Sequence, residues 1–66
     1  MSAKDQIIKI LKDSGSLSTS RIAGIIGIDY IYATKLLEEL FLEKIIEKIE
    51  TQNSTYWKIK ETKNEI

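Results

Sequence analysis

The sequence predicts a mainly α-helical fold that ends in a small β-hairpin. Three observations predict it. Apolar residues recur at helical spacing in three successive stretches, the last of which holds Ala33, Leu36, Leu37 and Leu40. Ser14-Gly15 and Gly27 punctuate the gaps between those stretches. After Lys44 the pattern changes to a loose alternation on both sides of the polar run Thr51-Gln52-Asn53-Ser54-Thr55. The expectation is three helices followed by a two- to three-stranded sheet.

The first helix is expected over residues 3–13, with Ile7, Ile8, Ile10 and Leu11 on one stripe. Gly15 suits a left-handed C-terminal cap. Ser16-Leu17-Ser18 reads as a short extended link with Leu17 pointing inward. Ser18 suits an N-cap, because its hydroxyl can accept a free N–H of the next turn. The second helix then runs over about 19–26, with Ile22, Ile25 and Ile26 on one face. Gly27 breaks it, and Asp29 caps a third helix over about 30–43. Residues 45–50 and 56–60 read as two strands, and Trp57, in phase with Ile59, points to the core. Phe41 and Leu42 widen the third helix's stripe, so either they pack under the hairpin or they form a dimer surface. Residues 61–66 read as a frayed polar tail, which leaves 1–60 as the domain.

Composition excludes several function classes. The chain has 66 residues, enough for one thin core. It has no Cys and no His, hence no disulfide, no thiolate nucleophile, no imidazole base and none of the commonest metal ligands. There is no glycine-rich phosphate loop either. An enzyme is not expected, nor is a cofactor, a metal or a small-molecule substrate. Apolar runs fall far short of the roughly 20 residues of a membrane span, and the polar start gives no targeting signal. A cytoplasmic protein that does not use a membrane is the expectation. Thirteen Ile with no Val, nine Lys to one Arg, and no Pro resemble the residue usage of a thermophilic organism with an AT-rich genome. Ten Lys+Arg balance ten Asp+Glu, so bulk charge announces no nucleic-acid partner.

The stretch 22–44 carries a more specific pattern. Ile22-Ala23 is followed by Ile26-Gly27-Ile28, then Ala33 and Leu36. Two helices crossing steeply must approach closely, so a small residue, Ala23, sits where they touch. Gly27 supplies the backbone freedom of the tight turn. In every one of these positions the chain resembles the helix-turn-helix pattern. Leu37-Glu38-Glu39-Leu40 through Ile45-Ile46, then Tyr56-Trp57-Lys58-Ile59, is similar to the ending of winged-helix regulators of the small archaeal and bacterial type. The resemblance covers residues 5–60 and departs at Lys44, where such families usually have Gly. The third helix must therefore be capped differently, or Lys44 takes a left-handed conformation.

The resemblance implies a winged helix-turn-helix transcriptional regulator that binds double-stranded DNA as a homodimer. Its third helix would enter the major groove and its hairpin wing would lie on the backbone or minor groove. Outward positions of that helix are Tyr30, Ile31, Thr34, Lys35 and Glu38, with Tyr32 at the edge. Lys35 suits a phosphate or a guanine edge, Tyr30 and Thr34 suit bases or phosphates, and Ile31 suits a thymine methyl. Tyr30, Ile31 and Tyr32 would otherwise cover the core or a dimer contact. Thr19 and Ser20, with the free N–H groups beside them, suit a phosphate. Arg21 suits a phosphate or a carboxylate such as Asp29. Lys48 and Lys58 flank the wing tip. Against DNA stand Glu38, Glu39, Glu43, Glu47 and Glu50. The alternative is a winged helix used for protein–protein contact in replication, transcription or membrane-remodelling machinery.

Overall fold

The chain runs α1 (Ala3–Ser14), β1 (Ser16–Ser18), α2 (Thr19–Ile26), α3 (Tyr30–Leu42), β2 (Ile46–Glu50) and β3 (Thr55–Ile59). The computed structural model describes residues 2–61, and the tail expected over 61–66 lies, Glu61 apart, outside the described residues. Each helix starts on a side-chain cap. Ser2, Ser18 and Asp29 accept the backbone N–H groups of Asp5, Arg21 and Tyr32, each at 3.1 Å.

The three strands form one antiparallel sheet in the order β1-β3-β2. Ser16, Leu17 and Ser18 stand opposite Lys58, Trp57 and Tyr56, and Ile46 stands opposite Ile59. The extended link expected before α2 is thus a strand, and the sheet has the larger of the two expected strand counts. Between β2 and β3 the Thr51 hydroxyl donates to the Ser54 carbonyl at 2.9 Å and accepts from the Ser54 N–H at 3.0 Å. One side chain therefore closes the polar turn.

Ile7, Leu11, Ile22, Leu36, Leu37, Leu40, Ile46 and Trp57 form the buried core. Every helix and the inner face of the sheet contribute, as a small domain requires to bury enough apolar surface. Ala33 lies fully buried and Ala23 nearly so, which matches the small residues expected at the α2–α3 crossing. Ile25, expected on the buried face of α2, is half exposed instead. The helix is eight residues long and turns only Ile22 and Ala23 fully inward among its apolar residues.

The helix ends account for the backbone specials. Gly27 is left-handed, and the Ile28 N–H reaches back to the Ala23 carbonyl at 3.0 Å. Gly15 has positive φ, but its ψ of −96° lies outside the expected left-handed helical region. At the end of α3, Lys44 has φ 65°, so the left-handed alternative holds at that position. The Lys44 N–H bonds to the Phe41 carbonyl and the Ile45 N–H to the Leu40 carbonyl, both at 3.0 Å. This is the bonding pattern of a glycine cap, made with a lysine.

Candidate nucleic-acid interface

α3 has two chemically different halves. Its first turns expose Tyr30, Ile31, Tyr32 and Lys35, and no carboxylate lies between Asp29 and Glu38. Its last turns carry Glu38, Glu39 and Glu43, and each of these meets a lysine from another element. The Lys4 ammonium of α1 lies 3.0 Å from Glu39 and 3.1 Å from Glu43. The Lys48 ammonium of β2 lies 2.8 Å from Glu38 and 3.7 Å from Glu50. The hydrogen bond from Lys4 to Glu39, then that to Glu43, raises the Lys4 pKa above its ordinary value. The hydrogen bond to Glu38 does the same for Lys48. Two lysines thus partly offset the three carboxylates Glu38, Glu39 and Glu43 within the molecule.

Lys48 does more than pair. Its ammonium sits 5.5 Å from the Trp57 ring centre and 5.9 Å from that of Phe41. Phe41 in turn meets Trp57 edge-on at 6.4 Å. Of the two alternatives for the Phe41-Leu42 pair, Phe41 follows the first and packs beneath the hairpin. Leu42 stays 75% exposed.

The start of α2 is fixed from the sheet. The Trp57 indole N–H donates to the Thr19 hydroxyl at 2.8 Å, and Thr19 is only 4% exposed. This corrects the expectation for Thr19. Its hydroxyl faces the core because Trp57, once buried, needs an acceptor for its N–H. Ser20 and Arg21 remain exposed beside it. Arg21 and Lys35 make no ion pair among the described residues, with Asp29 or any other carboxylate.

These elements converge on a hollow of about 230 Å³ lined by Ser18, Thr19, Ser20, Tyr30, Asn53, Ser54 and Thr55. It joins the start of α2, the start of α3 and the hairpin turn. The lining side chains are all uncharged. Sequence reasoning misses Asn53, Ser54 and Thr55, because their turn carries no charge and only the fold places it against Tyr30.

Two predicted residues lie elsewhere. Lys48 turns to the inner face of the sheet, where Glu38 and Glu50 hold it, so it is not presented to a ligand beside the hairpin tip. Lys58 stands between Ser16 and Glu47 on the outer face of the sheet and lines a separate hollow with Leu11, Lys12 and Gly15. The Thr34 hydroxyl donates to the Tyr30 carbonyl at 2.9 Å and keeps its acceptor capacity.

Solved structures share this fold. The chain is similar to the YusO protein of Bacillus subtilis, with TM-score 0.82 and 20% identity over 86% of this chain and 43% of that one. It is similar to the Zalpha domain of Carassius auratus PKZ, solved in complex with Z-DNA, with TM-score 0.79 and 21% identity over 86% and 90% of the two chains. It is also similar to a cysteine-to-serine mutant of Lactococcus lactis ZitR in complex with DNA, with TM-score 0.80 and 21% identity over 89% and 42%. The fold is a winged helix-turn-helix. The winged helix spans less than half the length of the YusO and ZitR chains but nearly all of the Zalpha domain. No protein-family model and no curated protein matches the sequence. In winged-helix terms α2 and α3 are the helix-turn-helix pair, and the β2–β3 hairpin is the wing.

Proposed function

We propose that this winged helix is a binding module, not a catalyst, and that it binds double-stranded DNA as part of a transcriptional regulator. The observation that carries this reading is the division of α3. Its acidic half is held by Lys4 and Lys48, while its first half exposes Lys35, which makes no ion pair among the described residues, and brings Tyr30 to the polar hollow under the wing turn. In this reading the first two turns of α3 enter the major groove. Lys35 and Arg21 meet phosphates or a guanine edge, and Ser20 and Tyr30 bond to the backbone. Asn53 and Ser54 carry the wing to the flanking phosphate or minor groove. Two domains acting as a homodimer would double this small set of contacts. Two solved structures of similar fold are complexes with DNA, one of them Z-DNA, which supports a nucleic-acid partner.

With few cations at the interface, few counterions are released, so affinity is modest and salt-sensitive. The test is a mobility shift with mixed-sequence duplex DNA at low and moderate salt. The expected result is a complex at micromolar protein in low salt that weakens as salt rises. Absence of any complex at low salt would refute the proposal. It would favour a protein-binding winged helix instead, a reading for which exposed Leu42 is the specific observation.

A further inference from the structure

The outermost ridge of α3 is made by Ile31, Lys35, Glu38 and Leu42, at steps of four, three and four residues. Ile31 is 76% exposed, the most exposed of the large apolar side chains, and it stands in the first turn. Its flanks are Tyr30 and Tyr32, both also exposed. The core is complete without it, since Ala33, Leu36, Leu37 and Leu40 fill the buried stripe.

Of the residue types that read purines through two bonds, this helix carries only Lys35. α3 contains no Arg, Asn or Gln, so the paired bonds to adenine are unavailable and those to guanine fall to Lys35 alone. Lys35 is a flexible point charge without the planar fork of arginine, and the Thr34 hydroxyl proton is committed to the Tyr30 carbonyl. What the first turn offers the groove is apolar and aromatic surface. The feature of the major groove that an aliphatic side chain recognises is the C5-methyl group of thymine.

We infer that Ile31 is a specificity-determining residue that packs on thymine methyl groups, so that this domain prefers thymine-containing duplexes. The inference rests on the DNA-binding reading above. Burying one methyl against Ile31 corresponds to about fourfold in affinity.

The experiment compares an AT-rich duplex with the same duplex made with deoxyuridine in place of thymidine, against wild type and Ile31→Ala. Wild type is expected to bind the thymine duplex about fourfold or more tightly per methyl contacted. Ile31→Ala, a change at an exposed position that leaves the melting curve unchanged, is expected to bind both duplexes alike. Ile31→Val is expected to restore part of the preference. Equal binding of both duplexes by wild type would overturn the inference while leaving DNA binding intact. Discrimination that persists in Ile31→Ala would overturn it as well, by moving the methyl contact to another residue. Failure of wild type to bind either duplex would refute the DNA reading itself.

Discussion

Thr19 and Trp57 lie 38 residues apart, yet one hydrogen bond between them sets where α2 begins relative to the sheet. Thr19→Val keeps the shape and removes the acceptor, leaving a buried indole N–H without a partner. The expected cost is about 1–3 kcal/mol in urea unfolding, with Thr19→Ser close to wild type. An unchanged midpoint in the valine variant would show that the bond contributes nothing net. Lys44 makes the opposite case. A non-glycine residue at φ 65° is strained, by about 1–2 kcal/mol against a right-handed conformation. Glycine removes that strain and loses part of the gain to its freer unfolded chain. Lys44→Gly is therefore expected to stabilise the domain by about 0.5–1 kcal/mol, and a lowered melting temperature would contradict the cap assignment. Trp57 is legible in the sequence from its phase with Ile59. The burial of Thr19 is not, because three consecutive hydroxyl residues at a helix start look alike until a distant indole selects one.

Elements explain why α3 tolerates its carboxylates. Lys4 ties α3 to α1, and Lys48 ties it to the wing through Glu38 while stacking over Phe41 and Trp57. Both lysine pKa values are raised above the ordinary 10.5. Their contribution to stability is thus complete below that pH and lost as pH rises through the raised values. The pairs are partly solvated, so the effect is small. Lys48→Met keeps the aliphatic stem but removes the charge, and its melting temperature is expected to fall less than wild type's above pH 10.5. Parallel curves would show that the bridge does not hold the wing. Packing sets a harsher limit at the crossing of α2 and α3. Ala23→Leu forces extra methylenes between them, at an expected cost of about 1–3 kcal/mol or more; a normal melt would contradict the close crossing. The helix bounds are readable from Ser18, Gly27 and Asp29, which are local signals. The extended stretch that becomes β1 is readable too, but its partner is not, since β3 lies far along the chain.

At the scale of the whole molecule, zero net charge hides a division of charge. Counting lysines and glutamates cannot reveal it, because pairing between distant elements decides which charges remain free. Lys4 offsets one of the two charges of Glu39 and Glu43 at one end of α3, and Lys48 is shared between Glu38 and Glu50 beneath the wing. Among the described residues Arg21 and Lys35 make no ion pair, and both are exposed. Sequence alone places Tyr30, Ile31 and Lys35 on the outer side of α3, since helical spacing dictates that. It cannot bring the wing turn to Tyr30. In the proposed function, nucleic acid would meet the first half of α3, the start of α2 and the wing turn. Amide chemical-shift mapping during titration with a short AT-rich duplex tests that claim most directly. Perturbations are expected to concentrate at residues 18–21, 30–35 and 53–55, with Lys4, Glu39 and Glu43 unmoved. Perturbations centred on Leu42 and the end of α3, or none at all in low salt, would contradict it.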